Sequence, residues 1–208
     1  MTPTARTAIE RGLAELRLEA AAGQLDALVL LAERVADWGE RVNLTGHRGP
    51  VDVARRLVLD AAALLQAAPP CASLADLGSG AGFPGLPIAI LRPDIPVTLV
   101  EARQRRHHFQ RAVCRELGLE NVTTLRGRAE ALAAKPHAAV VAQAMAQADR
   151  ALGWMLPWAE PRGWLWIPGG AEAPNLEETA AFYGAEVRRY AVPEAGPQRT
   201  LWIARRAP

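Results

Sequence analysis

The chain has 208 residues, half of them hydrophobic, which is enough to bury the core of one domain of ordinary size. Its formal net charge is only +2, and no apolar run approaches the length of a membrane span. Charges interrupt the first 19 residues, a pattern that excludes a signal peptide, so we expect a cytoplasmic protein. Two cysteines make neither a disulfide framework nor a zinc site, and no metal is expected.

Apolar residues at helical spacing predict that the first third of the chain is helical. The predicted helices cover residues 4–20, 24–42 and 50–67. The stripe on the second helix is typical of core packing. Pro69 and Pro70 then mark a boundary. We therefore predict an N-terminal helical extension at 1–70 and a cofactor-binding domain at 71–208, joined in one compact unit.

Beyond this boundary, short apolar strands alternate with helices. The strands are predicted at residues 73–77, 97–101, 122–126, 138–142 and 163–167. Such alternation indicates a parallel sheet with right-handed crossovers. Residues 185–192 and 199–205 have no long helix between them, which favours an antiparallel hairpin at the sheet edge.

The most informative segment is 74–85, LADLGSGAGFPG, which places four glycines between a strand and a helix. Gly78, Gly80 and Gly82 let the backbone turn sharply and allow a ligand to approach the main chain. The free amides at the start of the following helix favour a polar or anionic group. Asp76, at the strand end, is a candidate for cofactor work, with structural capping as the alternative. Taken alone, such a turn can also serve only the backbone.

A carboxylate follows at the end of the second strand. Glu101 comes about twenty residues after the glycines, the spacing at which an acid binds ribose hydroxyls. A pyrophosphate-binding turn reads G-x-G-x-x-G, and Phe83 breaks that pattern at the third glycine. The cofactor indicated is therefore S-adenosylmethionine rather than NAD.

The segment DLGSGAGFPGLPIAI at 76–90 resembles the bacterial RsmG (GidB) family of ribosomal RNA guanine-N7 methyltransferases. The family's NLT motif is matched at 43–45, and its R-H-x-x-D segment at 56–60 with Leu57 in place of His. Its loop after the third strand is matched at 126–130, RGRAE. The similarity covers about residues 25–170 and keeps its order throughout.

The resemblance implies a class I Rossmann-like methyltransferase fold, with a mostly parallel doubly wound sheet, an antiparallel C-terminal hairpin and an N-terminal helical extension. It implies S-adenosyl-L-methionine as cofactor, 16S ribosomal RNA or the small ribosomal subunit as partner, and a monomer that needs neither membrane nor metal. The residues implied in cofactor binding are Asp76, Gly78, Ser79, Gly80, Gly82, Phe83, Glu101, Ala102, Ala129 and Glu130. Those implied in catalysis are Gln143, Arg56 and Asp60.

Two positions depart from the family pattern. Gln143 stands where the family has the arginine of Ser-Arg-Ala, and Pro168 stands where it has the lysine of Leu-Lys-Gly. An arginine offers a fork of donors that a neutral amide lacks. Guanine N7 carries a free lone pair, so its methylation needs alignment but no general base. The departures leave open a weaker grip on RNA, another substrate, or a cofactor- or RNA-binding module without transfer; an NAD-binding oxidoreductase is the alternative from another class.

Two further clusters have two interpretations each. The basic residues at 103–111 are interpreted as a solvated helix face, with a nucleic-acid patch as the alternative. Within them, His107 and His108 are expected at the surface. The tryptophans at 154–166 either pack in the core or stack on bases.

Overall fold

A computed structural model describes residues 4–208, and predictions that touch residues 1–3 lie outside the described part of the chain. Helix α1 (Ala5–Glu15) begins at Thr4, whose hydroxyl accepts a hydrogen bond from the backbone N–H of Thr7 at 3.1 Å. The Thr7 hydroxyl in turn accepts from the Thr4 N–H, which completes a capping box. Helix α2 (Ala22–Gly39) follows and packs along α1.

The third predicted helix is interrupted. It consists of α3 (Gly49–Val53), a π-helical turn (Ala54–Val58) and α4 (Leu59–Ala67). A π-turn inserts one extra residue per turn and is frequent at functional sites. Here it changes the direction in which the side chains before and after it project, and it carries Arg56.

The sheet has seven strands in the order β3-β2-β1-β4-β5-β7-β6. They are β1 (Leu74–Leu77), β2 (Val97–Glu101), β3 (Val122–Arg126), β4 (His137–Ala142), β5 (Ala159–Gly169), β6 (Phe182–Ala191) and β7 (Gln198–Arg206). The first five pair in parallel, and β7 pairs antiparallel with both β5 and β6. The connecting helices are α5 (Gly85–Leu91), α6 (Gln104–Glu116) and α7 (Ala148–Met155). The predicted fold class, including the C-terminal hairpin, is confirmed.

Side chains alternate across the strands, so the sheet buries an apolar surface on each face. On one face, Leu74, Leu99 and Val141 join a core that includes the N-terminal helices, α5 and α6. On the other face, α7 and its neighbours cover a second core that contains Trp158 and Trp202. The N-terminal helices therefore share a core with the sheet, while the division at residue 70 stays a prediction.

The strand order places a crevice at one edge of the sheet. The chain runs from β1 outward through β2 to β3, then returns to continue with β4 and β5 on the other side of β1. In open sheets of this kind, ligands bind at the carboxyl ends of the strands where the order reverses. The crevice is therefore expected between the ends of β1 and β4, at Leu77 and Ala142, which are paired in the sheet.

The expectation that both adjacent histidines lie at the surface is wrong for one of them. His107 is 8% exposed, whereas His108 is exposed. Residues one position apart on a helix project about 100° apart, which turns His107 toward Thr124 of β3 while His108 faces solvent. Burial lowers the pKa of His107. Among the described helices, none is long and apolar enough to cross a membrane.

Candidate active site

A cavity of about 330 Å³ lies at the carboxyl edge of the sheet, beside the ends of β1 and β2. Its size falls within the range of small-molecule sites. Five of the predicted cofactor-binding residues line it: Gly78, Glu101, Ala102, Ala129 and Glu130. The other predicted residues, Asp76, Ser79, Gly80, Gly82 and Phe83, are not part of its lining.

Glu101 connects the glycine turn to the end of β2. Its Oε2 accepts a hydrogen bond from the Gly80 N–H at 2.9 Å, and its Oε1 accepts from the Arg103 N–H at 2.6 Å. The side chain is 5% exposed but borders the cavity. Two backbone donors therefore fix the carboxylate in one orientation, with lone pairs left to accept from a ligand hydroxyl.

Gly78 explains why the turn needs a residue without a side chain. Its φ is +69°, in the left-handed region, and a Cβ there would lie 2.6 Å from the Met145 Sδ. Met145 itself lines the cavity. A side chain at position 78 would therefore strain the backbone and push Met145 away from the ligand space.

Asp76 lies beneath the turn, where it is only 1% exposed. Its Oδ2 accepts a hydrogen bond from the Gly85 N–H at 2.9 Å, which ties the start of α5 to the end of β1. Burial raises the pKa of Asp76 to about 7, and the nearby charge of Glu101 adds to the rise. In this arrangement Asp76 stabilises the glycine turn. A direct contact between Asp76 and a cofactor stays a prediction.

Gln110 stabilises the same turn, and it was not predicted from the sequence. It is fully buried on α6, and its Nε2 donates to the Ser79 Oγ and to the Gly80 carbonyl, both at 2.8 Å. The Ser79 hydroxyl in turn donates to the Val100 carbonyl. The sequence feature that could have identified Gln110 is a polar residue on the apolar face of a helix, three positions before Val113.

One tryptophan lines the cavity, and a second supports the loop that forms part of its wall. The indole N–H of Trp158 donates to the Ala129 carbonyl at 3.1 Å and so fixes the loop after β3. Trp154 lines the cavity, with the Arg150 guanidinium 5.1 Å from its ring centre. Trp158 therefore packs in the core, while Trp154 is available to a ligand. Of the basic residues at 103–111, which were interpreted as a solvated helix face, Arg103 and Arg106 also line the cavity.

A second cleft lies next to the cavity and brings together two of the three predicted catalytic residues. Gln143, Asp60 and Phe83 line it, and the segment after Gln143 lines the larger cavity. Arg56 is not among its lining residues: its side chain is half exposed, 3.9 Å from the Asp52 carboxylate. Pro168 is buried in β5, where it is paired with Leu201 of β7.

Asp60 is the centre of a buried hydrogen-bond network. Its Oδ1 accepts from the Tyr190 hydroxyl at 3.2 Å, and its Oδ2 accepts from the Arg199 Nη2 at 3.0 Å. Gln143 lies beside Asp60 on the wall of the same cleft. Burial raises the pKa of Asp60, and these three residues oppose the rise. Neither Tyr190 nor Arg199 was identified from the sequence.

Comparison with known proteins identifies the family. Residues 24–202 match the family GidB, described as rRNA small subunit methyltransferase G. The chain belongs to this family. A relative with that name from Nocardioides sp. is 46% identical over 79% of this chain and 67% of its own length. Another, from Chromohalobacter salexigens, is 36% identical over the full length of both chains.

The family assignment makes the chain a methyltransferase, with S-adenosylmethionine as its cofactor. A solved structure of MtNAS in complex with S-adenosylmethionine has the same fold, with a TM-score of 0.55 and 16% identity over 89% of this chain and 72% of that one. The resemblance found in the sequence is confirmed, and the NAD-binding oxidoreductase is excluded.

Proposed function

We propose that this enzyme transfers a methyl group from S-adenosylmethionine to N7 of a guanosine in small-subunit ribosomal RNA. The observation that carries the proposal is the fixed carboxylate of Glu101 on a cavity at the switch point of the sheet, in a chain that matches the family over residues 24–202. The proposal includes action as a monomer in the cytoplasm, where small ribosomal subunits are found.

The residues of the larger cavity fit the cofactor. Glu101 accepts hydrogen bonds from the ribose hydroxyls, because its orientation is already fixed by two backbone donors. The segment of Ala129 and Glu130 borders the adenine, and the amino-acid end lies against Gly78, at the start of the glycine turn. When bound, the cofactor supplies a methyl group activated on a sulfonium sulfur.

The neighbouring cleft is where the target base approaches. Only about 20 Å³ inside this cleft is accessible to a water-sized molecule, so a purine does not enter it and the base stacks at its mouth. Phe83 offers an aromatic surface there, and Gln143 offers an amide that donates to a guanine acceptor. Since N7 has a free lone pair, these residues only orient the base, and none has to remove a proton.

The test is transfer of labelled methyl from S-adenosylmethionine to small subunits that lack N7-methylguanosine, with the product mapped by cleavage at that nucleotide. Label at one guanosine supports the proposal, and subunits that already carry the modification serve as the control substrate. Binding of S-adenosylhomocysteine without transfer to any RNA would refute it and favour a diverged module that retains only the cofactor site.

A further inference from the structure

The cleft lined by Asp60, Phe83 and Gln143 is called the acceptor site below. We propose that Arg199 supplies the positive charge next to this site and binds a phosphate of the substrate RNA beside the target guanosine. The inference rests on the proposed function and extends it to a residue outside the motifs found in the sequence. Arg199 lies on the C-terminal hairpin, more than fifty residues after Gln143.

The topology of the sheet brings Arg199 to the acceptor site. Because β7 runs antiparallel to β5, its first residues lie at the carboxyl edge of the sheet, where Thr200 is paired with Gly169. The Arg199 side chain there reaches the Asp60 carboxylate at 3.0 Å. Asp60 also lines the acceptor site, together with Gln143. A single carboxylate therefore links Arg199 to the edge of the acceptor site.

The contacts of Arg199 hold it in place without using all its donors. A guanidinium has five N–H groups, and the contact with Asp60 uses Nη2. Tyr190, the cross-strand partner of Arg199, donates to the other oxygen of Asp60 and keeps the carboxylate oriented. The Arg199 side chain is 29% exposed, so a ligand from solvent can reach it.

The chemistry of the reaction favours a phosphate over the base as the partner of this cation. Methylation at N7 places positive charge on the purine ring, and a guanidinium against the ring would oppose that charge. A phosphate next to the target nucleotide instead gains a charge-assisted contact with a planar fork of donors. Arg199 thus provides a positive charge that Gln143 cannot provide.

A second ion pair fixes the same hairpin. Glu194, in the turn between β6 and β7, accepts a hydrogen bond from the Arg55 Nη2 at 2.8 Å. Arg55 belongs to the π-helical turn, which directly precedes the helix that carries Asp60. Two contacts therefore hold the start of β7 against this helical segment, and Arg199 is presented by a rigid element.

The experiment measures binding of the full-length protein to unmodified small subunits at several salt concentrations. Arg199→Gln should weaken binding about ten-fold or more and lower the slope of log affinity against log salt by about 0.7–0.9, the value for one phosphate contact. Arg205→Gln is the matched control, because it removes one positive charge at the other end of β7, where Arg205 stacks on Trp164. It should change neither quantity.

Binding of S-adenosylhomocysteine by the same variants should stay unchanged. If Arg199→Gln fails to fold, Arg199→Lys replaces it: the lysine keeps the charge, so the salt slope stays while affinity falls several-fold. Wild-type affinity and slope in a folded Arg199→Gln variant, or wild-type affinity in Arg199→Lys, would overturn the inference alone. No binding of subunits by the wild-type protein would instead refute the proposed function, and this inference with it.

Discussion

Replacing Glu101 by glutamine tests the assignment of the cofactor site without changing its volume. Both carboxylate oxygens accept from backbone N–H groups, of Gly80 at 2.9 Å and of Arg103 at 2.6 Å. An amide has only one oxygen, so in Glu101→Gln one of these N–H groups faces an NH₂ donor. An unsatisfied buried donor costs about 1–3 kcal/mol, and the remaining hydrogen bond loses its charge assistance.

We expect two measurable effects. The unfolding temperature should fall by several degrees, because a chain of this length loses about 2–4 °C per kcal/mol. Titration calorimetry should show S-adenosylhomocysteine binding about ten-fold weaker or more, since the ribose loses a charged acceptor. Glu120→Gln is the control: it makes the same chemical change at an exposed position in the loop before β3 and should leave both values unchanged. A Glu101→Gln protein with wild-type unfolding temperature and affinity would refute the reasoning.

Three further predictions concern the two residues that support the glycine turn, Asp76 and Gln110, and one residue of the acceptor site, Gln143. The pKa of Asp76 is raised to about 7 in the folded protein, so ionisation of this group favours the unfolded state. The free energy of unfolding of the wild type should therefore decrease by up to about 4 kcal/mol from pH 4 to pH 8. Asp76→Asn should lack this decrease when thermal unfolding is measured across the same pH range. Gln110→Leu deletes the hydrogen bonds to Ser79 and Gly80 and should weaken S-adenosylhomocysteine binding several-fold in calorimetry. Gln143→Arg adds a positive charge at the acceptor site. It should raise the slope of log affinity for small subunits against log salt by about 0.7–0.9.

Each of these predictions has an outcome that contradicts it. An Asp76→Asn protein whose pH dependence of unfolding equals that of the wild type would show that Asp76 is not the titrating group. Unchanged cofactor affinity in Gln110→Leu would mean that the turn keeps its shape without this brace. A Gln143→Arg protein with the wild-type salt slope would place position 143 away from the RNA backbone.

Local sequence patterns predicted much of the fold. The bounds of β2 and β3 agree with the prediction residue for residue, because short runs rich in Val, Leu and Thr between turn residues define strands locally. The hairpin of β6 and β7 was predicted for the same reason. The π-helical turn was not predicted, because residues 54–58 continue the helical pattern on either side of it.

For the site, too, the sequence predicted some features and not others. The sequence by itself determined the glycine turn and Glu101, because the turn follows β1, Glu101 ends β2, and the carboxyl ends of neighbouring parallel strands lie at the same edge of the sheet. Only the tertiary structure decided which side chains hold them: Gln110 meets Ser79 across 31 residues, and Arg199 meets Asp60 across 139. Buried polar groups need hydrogen-bond partners, and the partner is the residue that the topology brings within hydrogen-bond distance. The local periodicity of the sequence does not predict which residue that is.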